Sequence, residues 1–205
     1  MSRRIAVLIS GRGSNLEALA ESCAAGRIPG AAIALVLSNR DDAPGLALAR
    51  ARAIPARAIP SKGLDRETYD RQVAAALDEA RVELVCLAGY MRLLSPFFVA
   101  HFAGRILNIH PSLLPAFPGL EAQRQALEHG VKWTGCTVHF VDENLDAGPI
   151  IVQAPVAVRD DDSVESLSAR ILAEEHRIYS QAVRLVLEGR FRMEGRRVLA
   201  AEPVR

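Results

Sequence analysis

The chain has 205 residues, half of them hydrophobic, and a formal net charge of +1. That length and apolar content predict one domain spanning 1–205. With no basic block and 5% aromatic residues, neither nucleic acid nor a membrane surface is expected as the main partner, although a local site can still bind a phosphate.

The N-terminal run MSRRIAVLISGRG is too short in its apolar part for a signal peptide, and no later run approaches the roughly 20 residues of a membrane span. A cytoplasmic protein is expected. Ile5–Ser10 reads as a strand, GRGSN as the turn after it, and about Asn15 to Ala25 as a helix. Ala32–Ser38 reads as a second strand, Pro44–Ala53 as a helix opened by proline, and Ile54–Ile59 as a short strand. Asp65–Ala80 carries Tyr69, Val73, Ala76, Leu77 and Ala80 near helical spacing. Glu83–Ala88 is a continuous apolar run, as a strand covered on both faces should be, and its Cys86 is expected to be buried. The cysteines, Cys23, Cys86 and Cys136, form no CxxC pair, so neither a zinc ribbon nor a redox dithiol is suggested, and a reducing compartment fits.

Ser95 can cap a short helix to about Phe102, and Arg105–Ile109 reads as the next strand. Strand–helix alternation of this kind predicts an α/β fold: a mostly parallel, Rossmann-like sheet flanked by helices. Beyond residue 130 the pattern changes. Thr134–Val141 and Ile150–Val158 read as strands that need not be parallel, joined by the Asp142–Pro149 loop. Ser163–Glu188 reads as a long helix, with Ser166 rather than Glu at the box position, so an incomplete capping box is expected. Phe191–Met193 and Val198–Leu199 suggest a terminal hairpin.

Ligands of parallel sheets bind beyond the carboxyl ends of the strands. Gly11–Asn15, Gly89–Leu94 and Asn108–Pro115 all fall at such ends. In GRGSN the glycines admit an anion to backbone N–H groups at a helix start. Position 16 is leucine, not the third glycine of a dinucleotide loop, and no Gly-Lys-Ser/Thr occurs, so one phosphate is expected rather than a pyrophosphate. Lys62 and Arg66 either reach that anion or are ordinary solvated charges.

In RILNIHPSLLP, Asn108 and His110 share a strand face at i and i+2, and NLDAGP offers Asp146 in a Gly/Pro turn. An amide, an imidazole and a carboxylate suffice for an acyl transfer in which the substrate brings its own nucleophile. The amide and a charged imidazole stabilise the oxyanion. The carboxylate holds the imidazole charged and moves the amine's surplus proton. Two other readings compete. A zinc site from His110, His139 and Asp146 has no HExxH or CxxC spacing behind it, so no metal is expected. A Ser–His–Asp hydrolase lacks a GxSxG elbow, and Ser112 sits wedged between Pro111 and Leu113.

The set LISGRGSN, LAGYMRLLS, LNIHPSLLP, GCTVHFV and LDAGPI, spread from about Ile5 to Tyr179, resembles the folate-dependent phosphoribosylglycinamide formyltransferases of purine synthesis. The resemblance implies the formyltransferase fold, with 10-formyltetrahydrofolate as cosubstrate and glycinamide ribonucleotide as acceptor. It makes Asn108, His110 and Asp146 catalytic. It places Arg12, Gly13, Ser14, Asn15, Arg66 and Glu175 at the ribonucleotide, and Met91, Arg92, Leu93, Leu94, Asn108, Glu143, Asn144 and Asp146 at the folate. Thr137 and His139 stand behind these groups. On this reading 1–105 is the phosphate and ribonucleotide half and 106–205 the catalytic and folate half; a homodimer is left open. Glu121 and Gln123 depart from the pattern, since relatives often carry histidine there.

The related deformylase is expected to carry a domain ahead of the first strand, and the related methionyl-tRNA formyltransferase an RNA-binding domain after residue 190, so the chain as given favours the ribonucleotide enzyme. A non-catalytic phosphate-binding module would account for GRGSN but not for the Asn–His–Asp set.

Overall fold

A computed structural model describes residues 2–200. Its chain separates into two units, one up to Asn108 and one from Ile109 on. The described strands form a mostly parallel seven-stranded sheet and a small antiparallel one.

The first unit opens with β1 (Arg3–Ile9), whose last five side chains are all buried. Gly13 then takes a left-handed φ of 83° as the N-cap of α1 (Ser14–Ala24), a conformation that costs glycine nothing. β2 (Ala31–Ser38) and β4 (Leu84–Leu87) pair with β1 in parallel. β3 (Ala56–Ala58) adds to β2, and β5 (Ile106–His110) to β4, with Leu87 opposite Asn108. All four side chains of β4 are buried, the signature of a strand covered on both faces. The helices of this unit are α2 (Pro44–Ala51), α3 (Arg66–Glu79) and α4 (Pro96–His101). Asp65 caps α3 by accepting from the Thr68 N–H at 2.9 Å, and Ser95 caps α4 by accepting from the Phe98 N–H; such caps contribute about 1 kcal/mol each.

In the second unit β6 (Trp133–Phe140) and β7 (Ile150–Ala157) pair antiparallel. Against them lies α6 (Val164–Leu187), which buries Leu167, Ile171, Ile178 and Ala182 along one stripe. Its capping box is complete, contrary to the expectation above: the Ser166 hydroxyl accepts from the Ser163 N–H at 3.0 Å while Ser163 Oγ accepts from Ser166 N–H at 3.2 Å. A serine hydroxyl reaches as well as a glutamate here because the two residues face each other across a single turn. The short helix α5 (Ala122–Glu128) is absent from the sequence reading. Its entry through Glu121 at φ 56° has no glycine to announce it. The described residues close with a hairpin of β8 (Phe191–Glu194) and β9 (Arg197–Ala200).

Candidate active site

In the first unit the loops after β1, β2 and β4 meet on Ser10. Its hydroxyl donates to Asn39 Oδ1 at 2.6 Å and accepts from the Met91 N–H at 2.8 Å, while its own N–H donates to the Gly89 carbonyl. The glycine loop is pinned from the side: Gly45 N–H donates to the Gly11 carbonyl at 3.1 Å. A Cβ on Gly45 would stand 2.5 Å from Ile9 Cδ1, and one on Gly13 would stand 3.0 Å from the Gly45 backbone. Two glycines in van der Waals contact thus hold the loop against the start of α2. Within it Arg12 is exposed, Ser14 half-buried, and Gly13 and Asn15 buried. Arg66 is exposed in the first turn of α3. The segment after β4 exposes Met91 and Leu93 by 64% and 52%, more than half of two large apolar side chains, whereas Arg92 and Leu94 are half-buried. Asn108 is half-buried on β5.

The second unit gathers its polar groups around Asp146. His110 closes β5 rather than following it, and it is buried. Its Nδ1 lies 3.4 Å from Asp146 Oδ2, and its Nε2–H donates to the Phe117 carbonyl at 2.8 Å. Both ring nitrogens therefore face oxygen. His139, also buried, donates from Nδ1 to the Phe140 carbonyl at 2.8 Å and turns Nε2 toward Asp146 Oδ1 at 3.8 Å. Burial pushes the His139 imidazole below its ordinary value of 6.5, against the pull of the Phe140 carbonyl and Asp146. Burial thus favours the neutral form of His139.

Asp146 adopts φ 48° and accepts from the Gly119 N–H through Oδ2 at 2.8 Å. Its loop returns against β6 at Gly148, where a Cβ would overlap the Phe140 carbonyl at 1.8 Å. Glu143 and Asn144 are exposed on that loop. Thr137 is fully buried: its hydroxyl donates to the Ser112 carbonyl at 2.7 Å and accepts from Leu114 N–H at 3.0 Å, with Gln153 Nε2 as a further donor. It fastens the turn that follows His110. Glu175 is buried on α6.

The Ser112 hydroxyl is buried and donates to the Ala116 carbonyl at 2.5 Å. Burial pushes the Cys136 thiol up to about 12. His110, His139 and Asp146 do meet, as the zinc alternative required, but among the described residues no three such side chains are spaced as a metal set. Four participants went unread in the sequence. The Phe117 carbonyl and Gly119 N–H are backbone groups in a loop of irregular dihedrals, and Ser10 and Gly148 act through tertiary contacts; of these only Gly148 falls in a marked stretch, the Gly/Pro turn, and its contact with Phe140 is not local.

A mostly parallel α/β sheet with these loops at its strand ends defines a class: the chain belongs to the formyl transferase family, which matches residues 3–183. Within that class it is 47% identical over 190 residues to the phosphoribosylglycinamide formyltransferase of Escherichia coli K12, covering 92% of this chain and 89% of that one. Among solved structures, glycinamide ribonucleotide transformylase 1 from Symbiobacterium toebii superposes with a TM-score of 0.95 at 55% identity, covering 98% of this chain and 95% of that one. A formyltetrahydrofolate deformylase from Pseudomonas syringae shares the fold at a TM-score of 0.91 and 29% identity over 98% of this chain and 67% of its own.

Proposed function

We propose that this protein transfers the formyl group of 10-formyltetrahydrofolate to the amine of 5'-phosphoribosylglycinamide, a step of de novo purine synthesis. The observation that carries the reading is His110 held 3.4 Å from Asp146 in a chain 47% identical to a phosphoribosylglycinamide formyltransferase. The chemistry follows from these groups. The substrate amine attacks the formyl carbon, giving a tetrahedral intermediate with an oxyanion and an ammonium. The Asn108 amide and the charged His110 ring donate to the oxyanion. Asp146 takes the ammonium proton, directly or through water, and delivers it to the departing N10 as the C–N10 bond breaks. No protein nucleophile is required.

His110 Nε2–H donates to the Phe117 carbonyl at 2.8 Å, so it engages the reacting oxygen by exchanging that partner. The part up to residue 105 binds phosphate and ribonucleotide through Arg12, Gly13, Ser14, Asn15 and Arg66, with Glu175 contributing from the remainder. Met91, Arg92, Leu93 and Leu94 border the folate, as do Glu143 and Asn144. Thr137 and His139 hold the catalytic loops in place.

The test is a product assay. Purified protein is mixed with both substrates, and formylated ribonucleotide is separated from formate. The reading predicts transfer in step with donor consumption. Stoichiometric formate with no formylated ribonucleotide would instead assign hydrolysis, the activity named for the Pseudomonas syringae neighbour.

A further inference from the structure

The first unit buries a carboxylate that the proposed chemistry does not use. Asp70, on α3, is fully buried. Its Oδ2 accepts from the Ser95 N–H at 2.6 Å, and among the described residues its Oδ1 has no hydrogen-bond partner. Burial pushes this carboxyl above the usual carboxylate range, against the hydrogen bonds from Ser95 and the Arg92 and Arg66 charges. A buried carboxylate kept on such terms is costly. Both the N–H and the hydroxyl of Ser95 act on it, and Ser95 ends the segment Gly89–Leu94 and starts α4. The other end of that segment is tied where Met91 N–H donates to Ser10 Oγ at 2.8 Å. Its middle lies on Tyr69, the neighbour of Asp70. The Arg92 guanidinium sits 4.4 Å from the Tyr69 ring centroid, and the Tyr90 hydroxyl donates to the Tyr69 hydroxyl at 3.2 Å. Held at three points, the segment turns Met91 and Leu93 outward.

We infer that Asp70 is a positioning residue: through the Ser95 N–H it sets the conformation in which Met91–Leu94 meets the formyl donor. This rests on the proposed function for the identity of the donor, but not for the holding itself. Two readouts separate the two. The first is amide hydrogen exchange of the Gly89–Ser95 segment, which needs no folate. Asp70→Ala and Asp70→Ser, whose hydroxyl falls short of Ser95, should each speed exchange there by about tenfold or more. Asp70→Asn, which still offers a carbonyl oxygen, should not. The second readout is kinetic. Asp70→Ala and Asp70→Ser should raise KM for 10-formyltetrahydrofolate about tenfold and leave KM for the ribonucleotide within about twofold, and Asp70→Asn should keep both within about threefold. Ser95→Ala retains the N–H but removes the hydroxyl that caps α4 and also acts on Asp70, so it should lower Tm and raise the donor KM less than Asp70→Ala does. Unchanged exchange in Asp70→Ser, equal rises in both KM values, or a tenfold donor effect in Asp70→Asn would each overturn the inference. Faster exchange in a protein that shows no saturation by the folate would leave the positioning intact and sink the functional reading.

Discussion

Asp146 lies in the left-handed region at φ 48°, where a non-glycine residue is uncommon and needs support from its surroundings. The support is visible: a Gly119 N–H on one oxygen and an imidazole facing each side. Asp146→Asn keeps the size but loses the charge and one lone-pair face, so it cannot accept the ammonium proton. The expected result is a kcat lower by roughly 100-fold or more, with an altered pH–rate profile; an unchanged profile would argue against proton transfer. His139 gives a stability prediction. Its folded form resists protonation below the ordinary 6.5, so as pH falls through that value the unfolded chain takes up a proton before the folded one. Stability is therefore fully present above 6.5 and declines below it, by at most about 1.4 kcal/mol per pH unit for one group. Urea unfolding between about pH 5 and 8 should show a shallower acid loss for His139→Gln than for the wild type; equal slopes would contradict the burial argument. At the residue scale the sequence offers candidates, whose roles belong to the proposed function. Asn108, His110 and Asp146 stood out because a strand end and a Gly/Pro turn present polar side chains that no core needs. Asp70 did not stand out, because a carboxylate inside an amphipathic helix pattern reads as a solvated one.

Among the elements, the Asp142–Pro149 loop depends on Gly148. Its α-hydrogen lies against the Phe140 carbonyl, and a methyl there cannot fit without backbone movement. Gly148→Ala should cost at least about 2 kcal/mol in urea unfolding and lower turnover in proportion to Asp146 displacement; a neutral effect on both would mean that the loop is not seated as described. The terminal hairpin braces the same loop, with Arg196 donating to the Ala147 carbonyl and the Phe191 ring 5.6 Å from Phe140. Element types were readable from apolar period, and so were the Pro44, Asp65 and Ser95 starts, because capping and proline chemistry act locally. The α5 turn was not. It begins from a left-handed Glu121, and only Ala122 and Ala126 give it a buried side, too short a stripe to register as a period.

At the scale of the whole molecule, the sequence alternation predicted parallel pairing for β1 through β5, and the change of pattern after residue 130 marked where β6 and β7 turn antiparallel. Which loops converge was legible only by rule: parallel strands send their carboxyl ends one way. The contacts that fix those loops, Ser10 on Asn39 and Met91, join residues 29 and 81 positions apart, and no local window contains them. In the proposed function the glycine loop after β1 holds the phosphate and the groups around Asp146 carry out acyl transfer. The direct measurement of that division is His110→Ala, with ribonucleotide affinity by calorimetry set beside kcat for formyl transfer. Affinity should stay within about threefold of wild type and turnover should fall by roughly 100-fold or more; parallel loss of both, or retained turnover, would contradict the division.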